Sequence, residues 1–512
     1  MRRLLLVFLA VVPVWAVERF GIFETFFEAS GEPLGQERLV EFRCGSAVER
    51  VPAFWDGGTT WKVRYMALAA GTCRWSALEG LPKKSGRFRV EVSKSTTNPL
   101  LARGPIRVAK NGRHFEHADG SPYFFLADTA WNAALWSTNE EWADYLADRA
   151  AKHFTAVQFV MTQWRAGRQD ERGQTAFAVR DGVLTVNPAF FARLDRKFAS
   201  LNQKGMVAAG VVLWALTSKD NESPGVALSV EHASQLARYM VARYQAHHTT
   251  WFLGGDGDYS GQNVARWQAI GRAVFPAGRR RGPVTLHPRG MRDPWKDYTG
   301  EAWVDYMVYQ TGHGGDARKW KWNATAGPAE GWKLTPPRPV LDAEPNYEGH
   351  MSYNGKKIDD YAVRRASWYS VLNAPPAGIT YGAHGIWFWS RKAEPPLDHA
   401  RSGPAMPWRE CLDYPGAKHM QVLIETMRSL RWWTLRPDRS LLASDTHRED
   451  YSDYVMPARS EDGSFALVYL PDGVSPSVVK TGGWARQTFV DPRSGVRTAT
   501  RGAGDALLLL EK

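Results

Sequence analysis

A chain of 512 residues is too long for a single hydrophobic core and points to two or three domains. Its 44 % apolar and 23 % charged content is that of a soluble globular protein, which excludes a disordered or collagen-like chain. The net charge of +12 is scattered, its densest run is Arg279-Arg280-Arg281, and no nucleic-acid motif accompanies it, so the basic balance reads either as a solvated face or as steering of anionic glycans.

At the N-terminus Arg2 and Arg3 precede an apolar run from Leu4 to Val14, and Val14-Trp15-Ala16 puts compact residues at the −3 and −1 positions of a cleavage site. This predicts a signal peptide over residues 1–16 and export to the periplasm or the cell exterior. No later stretch reaches the roughly 18 consecutive apolar residues that a membrane span needs. Residues 17–98 show short strands at Arg38–Phe42, Thr60–Tyr65 and Arg87–Val92 between Gly- and Pro-containing turns, the pattern of a small β-sandwich. Cys44 and Cys73 lie where they could pair in an oxidising compartment, which leaves Cys411 as a buried thiol.

Over residues 99–433 the texture becomes strand and helix in alternation. Eight apolar strands are expected at Tyr123–Ala127, Ala156–Met161, Met206–Leu213, Thr250–Leu253, Val284–Leu286, Tyr306–Tyr309, Pro339–Leu341 and Gly385–Phe388. A capping box, Thr138 with Glu141, opens a helix over 138–152, and Ser229 caps another over Val230–Ala246. Eight strands separated by helices match an α/β fold of the (β/α)₈ TIM-barrel type. The link between the fifth and sixth strands is short and carries Pro288, Gly290 and Pro294, so a doubly wound sheet stays open as the alternative. Residues 434–512 return to strands, at Leu441–Leu442, Phe465–Leu470, Val478–Val479, Gln487–Val490 and Ala506–Leu510, and are expected to form a second, C-terminal β-sandwich.

Reactive side chains of a parallel barrel sit at the C-terminal strand ends. There the sequence gathers Asp128 and Trp131, Gln163 and Trp164, Trp214, Asp256 and Asp258, His287, Gln310 and His313, Tyr347, and Trp387, with Asp342, Glu344 and Glu348 after strand seven. The 23 Trp of the chain suit stacking on sugar rings as well as packing in cores. Glycosidic cleavage needs a protonated carboxyl on one side of the bond and a carboxylate on the other. Strands four and seven lie nearly opposite across an eight-membered ring, so Asp256 and Glu344 are the expected catalytic pair. Gly254-Gly255 is expected to supply unusual dihedrals before Asp256, and Asp342 is expected to share a face with Glu344. No HExxH or paired-His spacing occurs, so no metal or cofactor is expected.

The runs DGSPYFFLADTAW (119–131), WFLGGDGDY (251–259), YQTGH (309–313), DAEPNYEGH (342–350) and GITYGAHGIWFW (378–389) resemble the apiosidase-like glycoside hydrolases over about Gly104–Trp433. The flanks, with FWDGGTTWKVRY (54–65) and FVDPRSG (489–495), resemble the β-sandwich domain fused before these barrels and the C-terminal domain that bears a collagen-binding label by similarity. The resemblance implies Asp256 as proton donor and Glu344 as nucleophile. It also implies Asp128, Gln310 and His313 as sugar ligands, and apiose in branched pectin as a substrate class. Trp131, Gln163, Trp164, Trp214, Asp258, His287, Tyr347 and Trp387 complete the expected substrate-binding set. The expected function is a retaining glycosidase acting on a plant or algal polysaccharide, with no nucleic-acid partner; a non-catalytic carbohydrate-binding or adhesion protein is the competing reading.

Overall fold

Eight parallel strands make one sheet in the computed structural model, which describes residues 15–93, 95–216, 220–279, 281–375 and 377–512. They are β1 (Phe125–Thr129), β2 (Ala156–Val160), β3 (Val207–Trp214), β4 (Thr249–Gly255), β5 (Val284–Thr285), β6 (Met307–Tyr309), β7 (Val340–Asp342) and β8 (Gly378–Gly382). In space they run β5-β4-β3-β2-β1-β8-β7-β6. Chain neighbours are neighbours in space, and β1 pairs with β8 from Phe125↔Gly378 onward, so the sheet curls into a barrel. A doubly wound sheet would instead reverse its strand order at a switch point.

The short link anticipated between strands five and six has a structural counterpart. β5 and β6 share no ladder, and a 3-10 turn, Trp295–Tyr298, replaces the helix between them. Single hydrogen bonds close the seam. The Asp305 amide donates to the Val284 carbonyl at 2.8 Å, the Val284 amide to the Asp305 carboxylate at 2.8 Å, and the Thr285 hydroxyl to the Tyr306 carbonyl at 2.7 Å. Buried backbone groups that lack a strand partner are thus still satisfied.

Strand eight is Gly378–Gly382, and the expected Gly385–Phe388 strand is a short helix, His384–Phe388. The apolar run there misleads because helix and strand look alike over four buried residues. Elsewhere the helical reading holds locally: Thr138 and Glu141 exchange both capping-box bonds at the start of Asn139–Ala151, and the Ser229 hydroxyl accepts from the His232 amide before Val230–Tyr244.

The N-terminal region is a sandwich. A five-stranded sheet, Trp15–Glu18, Ser85–Glu91, Gly71–Ala77, Leu39–Cys44 and Ala47–Pro52, faces a three-stranded one, Ile22–Glu28, Thr60–Met66 and Phe54–Gly57, across Phe23, Phe42, Val63 and Phe88. Cys44 and Cys73, opposite each other in register, form a disulfide, and Cys411 is free and buried. The Arg2–Val14 run that predicts export lies outside the described residues. The C-terminal region is sheet-rich, with six antiparallel strands whose Leu467, Tyr469, Leu507 and Leu509 join the barrel core. Its other face is covered by 3-10 turns at Arg439–Leu441 and Pro476–Val478 where strands were expected, joined by a Leu442–Val479 bridge. Among the described residues no helix is long and apolar enough to cross a membrane.

The N-terminal sandwich is tied to the barrel by a buried charge cluster. Asp195, on helix Pro188–Gln203, accepts from Arg64 of the sandwich at 2.7 Å and from Arg243, on Val230–Tyr244, at 2.7 Å. Burial alone would raise the Asp195 pKa, but the two guanidiniums hold it far below the usual range. A depressed folded-state pKa means the stabilisation is complete above the ordinary Asp value of about 3.9 and is lost as pH falls toward the folded one. Asp195→Asn removes the carboxylate that the two guanidiniums share and leaves Arg64 with Glu24 and Arg243 with Asp56, an expected loss of about 1–3 kcal/mol. Thermal melting should show it as a lower Tm at neutral pH, with the gap to wild type closing only in strong acid.

Candidate active site

Loops from the C-terminal strand ends surround a cleft of about 640 Å³. Asp256 and Glu344 both line it, together with Trp131, Trp164, Trp214, Gln310, His313, Tyr347 and Trp387. Asp256 follows the last residue of β4 and takes a left-handed conformation, φ 48°. Asp tolerates that region better than most residues, though a non-Gly residue there still costs about 1–3 kcal/mol. The two glycines before it have a different task from the one expected. Their φ values are ordinary, and they are small because a Cβ on Gly255 would lie 2.5 Å from the Trp214 ring and one on Gly254 2.5 Å from the Tyr259 hydroxyl.

Glu344 lies just past β7, where the chain has already left the pleat. The two-residue alternation therefore fails: Asp342 turns to the helix layer, accepting from the hydroxyls of Ser370 on Asp360–Asn373 and of Thr311, both at 2.7 Å. Glu344 instead faces the cleft. Its backbone is pinned from across the barrel by Gln158 of β2, whose side-chain amide donates to the Ala343 carbonyl at 2.7 Å and to the Thr129 hydroxyl at 2.6 Å.

Two imidazoles reach the Glu344 carboxyl, His313 Nε2 at 2.9 Å from Oε1 and His287 Nε2 at 3.4 Å from Oε2. Burial lowers their pKa values to about 3 and about 4, so both are neutral. The Asp256 amide points at His287 Nδ1 from 3.4 Å, which makes that nitrogen the acceptor and leaves the proton on Nε2, near Glu344 but not hydrogen-bonded to it. Glu344 thus has one neutral imidazole, His313, in hydrogen-bond contact and a second, His287, close by. Asp256 makes no side-chain hydrogen bond to another described residue.

Both carboxyls are pushed above the ordinary range, chiefly by burial, and Asp256 further by the charge on Glu344. Two like charges in one cleft resist ionising together, so the pair holds a shared proton to higher pH than either group would alone. The donors around Glu344 favour its anion and leave the proton to Asp256.

The aromatic walls meet at right angles or obliquely. Trp214 lies 5.2 Å from Trp131 and 4.4 Å from Trp164 between ring centroids, and its indole N–H is buried without a hydrogen-bond partner. The indole of Trp164 donates to Asn132 at 2.7 Å, that of Trp387 to His384 at 2.9 Å, and Tyr347 packs on His313 at 4.3 Å.

Four expected ligands, Asp128, Gln163, Asp258 and His287, stand outside the cleft lining. Asp128 is wholly buried behind β1, bound to Arg149 at 2.6 Å and Tyr145 at 2.7 Å on the Asn139–Ala151 helix, so it anchors that helix and does not reach a sugar. Gln163 spends its amide on the Phe177 carbonyl and the Ala176 amide, both at 2.8 Å, and shapes a loop. Asp258 pairs with Arg289 at 2.8 Å outside the cleft lining. His287 supports Glu344 from beneath the lining. Glu348 accepts from Tyr381 and from the Gly416 amide, so it caps the helix Pro415–Arg428. The lining also includes His350, Met351, Tyr353 and the segment Asp398–Ser402, which no spacing rule singles out because they sit on irregular loops. Among the described residues no group of three or more His, Cys, Asp or Glu is arranged to hold a metal ion.

A (β/α)₈ barrel with opposed carboxyls in an aromatic cleft defines a protein of the glycoside hydrolase kind, and solved structures share the fold. A glycoside hydrolase superposes with a TM-score of 0.68 at 21 % identity, over 82 % of this chain and 99 % of its own. A glycoside hydrolase family 5 structure from Bacteroides vulgatus gives 0.67 at 19 % identity, over 82 % and 95 %. A further Bacteroides vulgatus structure, assigned to the glycoside hydrolases, gives 0.70 at 18 % over 97 % of this chain and all of that one. At such identities the likeness is one of fold. Residues 109–434 match the model of the apiosidase-like catalytic domain, and the chain belongs to that family. Residues 16–78 match DUF5060, a domain of unknown function. No curated protein matches the chain.

The charge coupling is directly measurable. In Glu344→Gln the like charge is gone, so Asp256 is expected to titrate at lower pH than in wild type. Carboxyl-selective NMR or infrared difference titration reads this, and an unchanged Asp256 midpoint would show that the two groups do not feel each other.

Proposed function

We propose that the protein is an exported, retaining glycosidase that removes a sugar from a plant or algal cell-wall polysaccharide, with an apiosyl unit of a pectin side chain as the leading substrate. The observation that carries the reading is the joint presence of Asp256 and Glu344 in one cleft, with the His313 imidazole bonded to Glu344 and no such partner on the Asp256 carboxyl among the described residues. In this reading Asp256 gives its proton to the glycosidic oxygen while a Glu344 oxygen attacks the anomeric carbon, and the C–O bond to the leaving group breaks. Water then attacks the glycosyl–enzyme bond, Asp256 takes a proton from that water, and Glu344 leaves as the carboxylate. The Trp and Tyr walls supply stacking surface. A donor one methylene shorter than Glu suits a small ring such as a furanose. The apolar run after Arg2 and Arg3 and the Cys44–Cys73 disulfide both favour an oxidising, exported setting. We assign residues 17–98 and 434–512 as domains that flank the catalytic one.

Incubating the protein with pectic and algal oligosaccharides and identifying the released monosaccharide tests the substrate class; release of apiose supports it, and release of another sugar only would overturn it. Asp256→Asn is expected to lower turnover by about 10²–10⁴-fold, with less loss on an activated aryl glycoside that needs no acid. Glu344→Gln should abolish turnover on both. Raised carboxyl pKa values destabilise the fold above them, because the charged forms are disfavoured there, and favour it below the unfolded values. Each amide variant should therefore melt no lower than wild type in mildly alkaline buffer, which separates lost chemistry from lost folding.

A further inference from the structure

Far from the cleft, on the N-terminal sandwich, a groove of about 910 Å³ runs between the Ile22–Glu28 edge and the outer five-stranded sheet. Arg43, Arg74 and Arg87 lie in it on three adjacent strands, and the register sets Arg43 opposite Arg74 and Arg74 opposite Arg87. All three are exposed. Opposite residues of an antiparallel pair have Cβ atoms about 4.5–5.5 Å apart, and like charges at that spacing destabilise a sheet.

Among the described residues the groove neutralises the Arg43 end of this row and not the rest. Its two acids are already engaged. Glu41 takes Arg43 at 2.6 Å and Arg50 at 3.4 Å, and Glu24 takes Arg64 at 2.7 Å and Lys62 at 3.7 Å. Arg74 and Arg87 have no acidic partner among the described residues. Lys84 adds a fourth cation, its ammonium donating to the Phe26 carbonyl at 2.8 Å and resting 4.7 Å above the Phe26 ring. Phe26 itself is 54 % exposed, an aromatic at the edge of a charged groove, and Ser76 and Ser85 add hydroxyls.

We propose that this groove binds an acidic polysaccharide, a chain of uronate residues, whose carboxylates pair with Arg43, Arg74 and Arg87 while a sugar face rests on Phe26. Arginine in a row recognises carboxylates at successive positions of a polymer, and at Arg74 and Arg87 the ligand supplies the charge that the groove does not. A polysaccharide is favoured over a nucleic acid because the same chain carries a glycoside hydrolase domain. The site holds the enzyme on anionic cell-wall polymer independently of what the cleft cleaves, so it stands whether or not the reading of the cleft does.

Affinity electrophoresis of the full chain in gels containing polygalacturonate, fully methyl-esterified polygalacturonate, or single-stranded DNA tests it. Wild type should be retarded by polygalacturonate, not by its ester, and progressively less as salt rises. The double variant Arg74→Ser, Arg87→Ser, which breaks no ion pair within the protein, should lose about tenfold or more in affinity, the worth of at least one charge-assisted hydrogen bond. Glu344→Gln should bind as wild type does, which separates this groove from the cleft. Undiminished retardation of the double variant, equal retardation by the ester, or tighter binding of DNA than of polygalacturonate would each overturn the proposal.

Discussion

Two carboxyl groups that share one cleft at the mouth of the barrel repel each other, and much of the surrounding structure answers to that repulsion. Two neutral imidazoles crowd Glu344, His313 hydrogen-bonded to it and His287 fixed in its tautomer by the Asp256 amide, and neither bonds the Asp256 carboxyl. The cost of a buried charge is thereby loaded onto one group and its proton onto the other. Around the pair, Gln158 holds the backbone before Glu344 from across the barrel, and the Trp214 ring occupies the space that a side chain on Gly255 would take. The site is built by packing as much as by charge.

The barrel reaches closure without a complete ladder. Between β5 and β6 the regular bonds give way to Asp305, Thr285 and the Tyr306 carbonyl, and no helix covers the join. The seam lies beside the loops that bring His287 and Gln310 to the site. An irregular join of this kind lets the chain on either side of it follow the needs of the cleft without breaking the other seven interfaces.

The two flanking regions attach by different physics. The N-terminal sandwich docks through a buried charge cluster, Arg64–Asp195–Arg243, and through Phe54, which belongs to the barrel core. The C-terminal sheet shares apolar surface with the Asp360–Asn373 helix and adds one buried pair, Arg364–Asp505 at 2.8 Å. In both, buried charges on one unit meet fixed partners on the other, so these contacts favour one arrangement as well as adding stability.

Much of this was legible from residue order alone. Seven barrel strands, the Thr138 capping box and the gathering of Asp256, Glu344 and the Trp residues at strand ends all follow from local periodicity and from the rule that parallel barrels react at one end, whereas the Cys44–Cys73 pairing was open until the register set the two opposite each other. Those signals are carried by near neighbours in the chain. What the sequence could not convey depends on contacts between distant segments. Asp128 reads like Asp256, an acid at a strand end, yet Arg149 and Tyr145 draw it into the helix layer. Asp342 reads as a companion of Glu344 until the end of β7 releases the alternation. The short apolar run Gly385–Phe388 took helical form because the barrel had already closed at Gly382. Which way a side chain turns at the end of a strand is decided by what waits on either side of it, and only the folded chain brings those groups together.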